Sequence, residues 1–298
     1  MSEAVAVPAK HLGRGIVLII LAFFCLALIS AFAKAVAPDV SSGVIVFFQY
    51  AISLVVLMPW FVRVGVRNLR THKLKLQLVW SIFGLGSQFL LFVALTTIPL
   101  LDASLLANAS PLFIPLVVWV WQKERPDAWL AFTLLLGFVG IVLILQPGGA
   151  SGIISLGTPI AIAAGVCSAI GLTAAGLLQK TELVPRTLFW YFLLSPLLVS
   201  PISFATWTMP TPRAWLYLLL IGVCMAAAQL LTVLAYTQAS PSRLAPFNYS
   251  VVVFSALIGW VVWNEVPNLL TLAGAVLVAV GGILSTQRPG ALHINLST

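Results

Sequence analysis

The sequence contains very few charged residues. Of its 298 residues, 7% are Asp, Glu, Lys or Arg and 61% are hydrophobic, and the mean hydropathy is +1.11. A soluble domain carries roughly 25% charged residues. A water-exposed surface is therefore excluded for most of the chain, and lipid is the predicted solvent.

Groups that bind metals or relay protons are also scarce. The three cysteines, Cys25, Cys167 and Cys224, lie within apolar stretches, whereas the three histidines lie in the tails or in a loop. No metal and no cofactor is therefore expected. The acidic residues fall in loops, in the N-terminal tail or at the ends of apolar stretches, which argues against a proton relay of carboxylates within the membrane. Uniport, exchange and coupling through other groups stay open.

What the chain has instead is a series of long apolar stretches. A membrane-spanning helix needs about 20 apolar residues, and ten spans can be placed. Their predicted ranges are 15–36, 43–62, 76–98, 101–121, 128–146, 156–178, 187–206, 214–238, 243–263 and 269–286. Because a β-barrel would show short alternating segments, the predicted fold is an all-α membrane protein with ten transmembrane helices.

The ten spans form two copies of one five-helix unit. An offset of 141 residues aligns Gln88, Ala94, Thr96, Phe113, Trp119, Glu124, Pro126 and Gly140 with Gln229, Ala235, Thr237, Phe254, Trp260, Glu265, Pro267 and Gly281. Upstream, an offset of 142 aligns Ala22, Cys25, Ala27 and Ser53 with Ala164, Cys167, Ala169 and Ser195. The predicted repeats are residues 1–146 and 153–288, followed by a C-terminal tail, 289–298.

The positive charges predict how the two repeats are oriented. If the N-terminus is cytoplasmic, every Lys and Arg except Lys34 and Arg213 falls on the cytoplasmic side, as the positive-inside rule requires. Because five is odd, the second repeat is then inverted relative to the first, and both termini are cytoplasmic. Inverted repeats are typical of transporters, whose halves exchange conformations around a site near the bilayer midplane. We therefore expect a central cavity between the repeats.

Uncharged polar residues within the spans are the predicted substrate contacts. They are Gln88, Asn108, Gln229, Tyr236, Asn248 and Tyr249. Gln88 and Gln229 occupy equivalent positions in the third and eighth spans, and Tyr236 follows Gln229 by two turns on the same helix face. For each residue the alternative is a hydrogen bond to a neighbouring helix that fixes packing.

Prolines and tryptophans supply further candidates. Pro111 and Pro115 in the fourth span, and Pro246 in the ninth, are expected to bend their helices because each removes a backbone hydrogen bond. A bend of this kind can offer free carbonyl groups to a ligand, although a packing kink is the alternative. Trp119 and Trp260 are weaker aromatic candidates, for which packing is again the alternative.

Lys34 is the only basic residue well inside an apolar stretch. One interpretation is that its side chain extends to the outer membrane interface. The other is that it provides a counter-charge for a substrate carboxylate. Glu124 and Glu265 precede the fifth and tenth spans, where stabilisation of a helix N-terminus explains a carboxylate.

Related motifs end the fourth and ninth spans, WVWQKERP at 119–126 and WVVWNEVP at 260–267. The third and fourth spans add Ala94-Leu95-Thr96 and Asn108-Ala109-Ser110-Pro111, and Lys34 lies near the end of the first. With these motifs in two five-helix copies, the chain resembles the EamA branch of the drug/metabolite transporter superfamily over about residues 15–288. Within that family it looks most like the YddG-type aromatic amino acid exporters.

The resemblance implies a ten-helix inner-membrane carrier. Its cavity would be formed mainly by spans one to four and six to nine, with five and ten at the periphery. We expect an exporter of small metabolites, amino acids and especially aromatic ones, that works by alternating access. No catalytic activity is expected. The expected partners are a small-molecule substrate and the lipid bilayer, without nucleic acid, and a monomer suffices.

Three other functions stay open on the sequence. A broad exporter of other metabolites or drugs would use the same fold. A non-transporting scaffold or receptor would keep the helices but would need no cavity. An enzyme acting on lipid within the membrane would need a nucleophile or metal-ligand cluster inside the spans, and the sequence shows none.

Overall fold

A computed structural model describes residues 12–122, 128–145, 156–179, 181–238, 244, 247 and 249–286. Its longer helices are α1 (Leu12–Val36), α2 (Ser42–Val64), α3 (Leu74–Ala94), α4 (Leu100–Ala107), α5 (Ser110–Gln122), α6 (Ala128–Leu145), α7 (Gly157–Gln179), α8 (Val184–Ala205), α9 (Pro212–Gln238), α10 (Ser250–Trp263) and α11 (Leu269–Thr286), and a short 3-10 helix covers Val66–Leu69. Six of these helices are long and apolar enough to cross a membrane. The predicted all-helical membrane fold is confirmed.

The helices correspond to the predicted spans in chain order. Helices α1 to α3 are the first three spans, α4 and α5 together make the fourth, and α6 is the fifth. In the second repeat, α7 to α11 are the sixth to tenth spans. The predicted boundary between the repeats falls at residues 146–153, which lie outside the described residues.

The fourth span is divided into two helices. Helix α4 ends at Ala107. The N–H of Asn108 donates the last hydrogen bond of the helix, to the carbonyl of Ser104 at 3.0 Å. Helix α5 starts afresh at Ser110, so Pro111 lies in its first turn. The missing N–H of a proline costs little there. The sequence predicted a kink within one helix, whereas the structure has a break before Pro111.

The two repeats contact each other through equivalent helix pairs. Helix α1 packs along α9, and its counterpart α7 packs along α3. Helix α2 packs against α8 and α9, where hydroxyl groups join the repeats: Ser53 Oγ donates to the carbonyl of Gly222 at 2.9 Å, and Ser203 Oγ donates to that of Gly43 at 2.7 Å. Such side-chain bonds to backbone carbonyls hold helices together where lipid supplies no hydrophobic driving force.

Helices α6 and α11 pack mainly on each other. Their closest approach is at Gly140 and Gly281, which the repeat alignment places at equivalent positions. A Cβ atom on Gly140 would lie 2.7 Å from the carbonyl oxygen of Gly274, and one on Gly281 would lie 2.9 Å from the amide nitrogen of Gly137. Because the obstructing atoms are backbone, the two helices must separate to accept a side chain.

We expect Gly140→Ala to destabilise the protein by about 1–3 kcal/mol, the usual cost of overpacking a close contact. The matched control is Gly176→Ala, because no atom lies within 4 Å of a Cβ at Gly176. Thermal unfolding of the purified protein in detergent measures both variants. Equal unfolding midpoints for Gly140→Ala and wild type would contradict the close approach.

Candidate functional site

A small polar cavity lies between the two repeats. Its polar lining comes from Ser30 on α1, Ser87 and Gln88 on α3, Asn108 at the end of α4, and Ser168 on α7. Helix α10 contributes apolar lining, and none of the described lining residues is ionisable. The cavity thus presents neutral hydrogen-bonding groups from both halves of the molecule.

The volume of the cavity is about 70 Å³. On the same measure a single water molecule needs roughly 10–15 Å³. Ligand pockets for small molecules are usually about 300–1,000 Å³. The cavity is therefore smaller than a usual ligand pocket and would have to widen to hold a small organic molecule.

The amide of Gln88 is the least satisfied group in the cavity. Its Oε1 is buried and has no hydrogen-bond partner among the described residues. By contrast, Asn108 donates its Nδ2 to the carbonyl of Ser104 at 2.7 Å. A buried acceptor without a donor costs about 1–3 kcal/mol. A ligand that donates a hydrogen bond to Gln88 would recover this free energy.

Aromatic side chains pack against α3 on one side of the cavity. We call Tyr50, Trp80 and Tyr191 the aromatic plug. Tyr191 stacks on Trp80 with 4.2 Å between ring centroids, and its hydroxyl lies 2.8 Å from that of Tyr50. The ring reaches α3 at Gly84, where a Cβ would lie 2.8 Å from the tyrosine hydroxyl. Because Gly84 is one helical turn from Gln88, the plug lies directly beside the cavity.

An ion pair lies on the opposite side, one helical turn beyond the cavity. We call the group formed by Lys34, Glu265 and the N–H of Leu100 the latch. Lys34 lies one turn beyond Ser30 on α1, about 6 Å along the helix, and its Nζ donates to Glu265 Oε1. Glu265 Oε2 accepts from the first N–H of α4, that of Leu100, at 2.8 Å. The Lys34 ammonium also lies 5.3 Å from the ring centroid of Trp263.

A second carboxylate lies at the end of the molecule beyond the plug. Glu182, 8% exposed, accepts hydrogen bonds from Thr71 Oγ1 at 2.5 Å, from Gln77 Nε2 at 2.9 Å and from the N–H of His72 at 3.3 Å. Arg186 lies 4.0 Å away. These contacts tie the segment before α3 to the connection between α7 and α8. We call this the Glu182 end, and the opposite one the Lys34 end.

We expect Glu182→Ala to destabilise the protein by about 2–4 kcal/mol, because it leaves buried donors unpaired and removes hydrogen bonds to a charged group. Asp39→Ala is the matched control, since Asp39 is an exposed acidic residue in a helix connection. It should change stability by less than about 0.5 kcal/mol. Unfolding titrations of the purified variants measure both. A Glu182→Ala protein as stable as Asp39→Ala would show that the cluster contributes little.

The structure brings together some of the predicted site residues and not others. Gln88 and Asn108 line the cavity, and Lys34 lies one turn away in the latch. Gln229 is half-buried on α9 and does not line this cavity. Tyr249, at the start of α10, is also outside the lining, and its buried hydroxyl finds no partner among the described residues.

The two predicted tryptophans lie at the periphery. The side chains of Trp119 and Trp260 are 42% and 53% exposed. Neither residue lines the cavity. Their exposure is typical of side chains that face lipid.

Several predicted residues fall where the structure gives no side chain. For Tyr236 in α9, and for Pro111 and Pro115 in α5, the structure describes the backbone but not the side chain. Asn248 and Pro246 lie outside the described residues, as does Glu124. Their roles stay predictions.

Sequence reasoning missed the partner of Lys34. It assigned Glu265 to the helix dipole of the tenth span, whereas the structure pairs Glu265 with Lys34 and with the N-terminus of α4. A lysine within the membrane needs a counter-charge, and that requirement could have singled out Glu265, which is predicted on the same membrane side. The serines that line the cavity could not be identified from the sequence, because serine is common in packed membrane helices.

The described residues show no metal centre. In those ranges no three His, Cys, Asp or Glu side chains come together as a metal site would require. The polar groups of the cavity are amides and hydroxyls, which can bind a ligand by hydrogen bonds.

The sequence matches a known family twice. The model of the EamA-like transporter family matches residues 13–146 and again residues 155–287. A solved crystal structure shares the fold, with a TM-score of 0.63, 20% sequence identity, and coverage of 90% of this chain and 96% of that one. At that identity the likeness concerns the fold alone.

Two curated relatives cover most of the chain. A pseudopaline exporter of Pseudomonas aeruginosa is 30% identical over 281 residues, which are 94% of this chain and 98% of that protein. A riboflavin transporter of Brucella anthropi is 28% identical over 254 residues, which are 84% of this chain and 89% of that protein. Both names describe membrane transport of a small molecule.

Proposed function

The chain belongs to the EamA-like transporter family, and from that premise we propose that it exports small polar metabolites, amino acids first among them, by alternating access. One observation carries the proposal. A polar cavity with an unpartnered Gln88 oxygen lies between the aromatic plug on one side and the latch on the other. A scaffold would have no need of a polar cavity closed separately on two sides.

The two closures suggest how access alternates. Release of the Lys34–Glu265 pair would open the cavity to the Lys34 end, because only one helical turn separates Ser30 from Lys34. Movement of Tyr191 away from Gly84, together with release of Glu182, would open it to the Glu182 end. The equivalent pairing of α1 with α9 and of α7 with α3 would let one repeat rock against the other.

Membrane orientation completes the proposal. From the distribution of positive charges we infer that the Glu182 end and both termini are cytoplasmic and that the Lys34 end is outside. Export would then load substrate from the Glu182 end and release it past the latch. The membrane would be the bacterial-type inner membrane, and a monomer would suffice, because both repeats of one chain line the cavity.

The substrate class rests on the cavity and on the latch. Neutral amides and hydroxyls suit hydrogen-bonding groups, and Lys34 suits a carboxylate. The relatives carry pseudopaline and riboflavin by name. They favour a second candidate, a broader exporter of other metabolites. That the substrate is an aromatic amino acid, as the resemblance to aromatic amino acid exporters implies, stays a prediction.

Counterflow in proteoliposomes tests the proposal. The purified protein is reconstituted in vesicles preloaded with an unlabelled amino acid, and entry of the same labelled compound is followed, with riboflavin as a parallel substrate. We expect saturable counterflow for at least one amino acid. Riboflavin counterflow alone would favour the second candidate. No counterflow, and no thermal stabilisation by any compound of the panel, would instead favour a non-transporting scaffold.

A further inference from the structure

The latch holds a carboxylate by two donors from the other repeat. Glu265 Oε1 accepts from the Lys34 ammonium, and Oε2 accepts from the Leu100 N–H at the start of α4. An ammonium group and a helix N-terminus both favour an anion, the second because its partial positive charge and free N–H groups face outward. Both oxygens of one carboxylate are therefore satisfied by groups that are fixed on α1 and α4.

We propose that Lys34 and the first turn of α4 form a carboxylate subsite, which Glu265 occupies in this closed state and which the carboxylate of an exported substrate takes over as the latch opens. The inference rests on the proposed function and adds a substrate class to it: compounds with a free carboxylate. In the closed state the Glu265 carboxylate then occupies the position that the substrate carboxylate takes in the open state. Exchange conserves charge, because one carboxylate replaces another on the same two donors.

Glu265 can leave the subsite without unfolding a helix. It follows α10, whose C-cap Asn264 has a left-handed backbone conformation (φ 56°), and the N–H of Glu265 is bonded to the carbonyl of Gly259 at 3.1 Å. The backbone is therefore anchored, and rotation of the side chain is sufficient for release. The Lys34 and Glu265 side chains are 13% and 21% exposed, so an incoming carboxylate can reach them once the end widens.

Polar groups connect the subsite to the cavity. On α1, Ser30 in the cavity is followed one turn later by Lys34. On α4, Asn108 in the cavity, Ser104 and Leu100 lie one turn apart from one another, which places them on one side of the helix. The Ser104 hydroxyl is 0% exposed and has no partner among the described residues. A ligand could reach it only after the helices around α4 separate.

Binding of an amino acid and of its amide tests the subsite. L-phenylalanine and L-phenylalaninamide differ at the carboxylate, and their affinities for the full-length purified protein can be measured by titration calorimetry. In wild type Glu265 competes for the subsite, so only the fraction of molecules with a free subsite binds. We expect Glu265→Gln to bind L-phenylalanine about tenfold more tightly than wild type, a shift that such competition would produce. Its affinity for the amide should be unchanged.

Three further variants serve as controls. Lys34→Gln added to Glu265→Gln should abolish the gain, because the ammonium donor is lost. Asp39→Asn, which neutralises an exposed carboxylate outside the latch, should bind L-phenylalanine as wild type does. Glu265→Asp, which keeps the charge on a shorter side chain, guards against a folding defect in Glu265→Gln and should give an intermediate affinity.

Three results would overturn the subsite. They are equal affinity of wild type and Glu265→Gln for L-phenylalanine, a gain that survives loss of Lys34, and a gain as large for the amide as for the acid. Undetectable binding of L-phenylalanine to Glu265→Gln would overturn the subsite in the same way as equal affinity. A Lys34-dependent gain without counterflow of any amino acid would instead retain the subsite and refute the proposed export.

Discussion

Replacing Gln88 with leucine is expected to reduce counterflow about tenfold or more while leaving thermal stability at or above that of wild type. The two effects diverge because the Gln88 oxygen has no partner in the described part of the closed structure. An apolar side chain of similar size removes an unsatisfied group, which is neutral or stabilising. Each hydrogen bond lost to a substrate costs about 1 kcal/mol, and 1.4 kcal/mol corresponds to a factor of ten in affinity.

Gln229→Leu is the matched control for Gln88→Leu. The two glutamines are equivalent in the repeats, but only Gln88 lines the cavity in this structure. Gln229→Leu should therefore reduce counterflow less than Gln88→Leu. Equal reductions would mean that Gln229 enters the site in another conformation. Full activity of Gln88→Leu would show that Gln88 serves packing only.

Removal of either charge from the latch is the second change with a large expected effect. Lys34→Ala should reduce counterflow of carboxylate substrates about tenfold or more, because it removes the cation of the proposed carboxylate subsite. It should also lower stability by about 1–2 kcal/mol, less than the 3–5 kcal/mol of a fully buried pair, because both side chains are partly exposed. Glu265→Ala should cost more stability, since it also leaves the Leu100 N–H without its acceptor.

A double-mutant cycle separates the ion pair from these other losses. Lys34→Ala, Glu265→Ala and the double variant are compared by unfolding titration in detergent. Residues in direct contact usually show coupling of about 0.5–3 kcal/mol, and we expect about 1 kcal/mol here. Additive losses would show that the two charges are paired without contributing to the closed state.

Much of the fold follows from local features of the sequence. Apolar runs of membrane-spanning length and the repeat alignment predicted the helices, because hydropathy and segment length are properties of short windows. The break in the fourth span was harder to predict from the sequence. A proline can kink a helix or begin a new one, and the hydrogen bond that ends α4 at Asn108 decides between them.

The site was only partly predictable for a related reason. Gln88 and Asn108 stood out because amides are rare and costly in a membrane. The sequence could not distinguish Trp119 and Trp260 from tryptophans that face lipid. Which way an aromatic ring on a helix points depends on the neighbouring helices, and the sequence does not give their positions. The latch joins residues that are 231 positions apart, and such a pairing depends on how the repeats pack.

The most direct test of alternating access is the change in distance at both ends of one protein when substrate is added. The native cysteines, Cys25, Cys167 and Cys224, are first replaced by alanine. Pairs of spin labels are then placed across each end, at Thr96 and Val266 for the Lys34 end, and at Arg70 and Thr181 for the Glu182 end. All four positions are exposed.

Double electron–electron resonance in liposomes then measures the two distances, with and without an amino acid that gives counterflow. The account predicts that substrate adds a population in which the Lys34 pair is farther apart while the Glu182 pair keeps its closed distance, and a second population with the reverse. Distances that do not respond to substrate, or that widen together in the same molecules, would contradict a carrier that exposes one cavity to one side at a time.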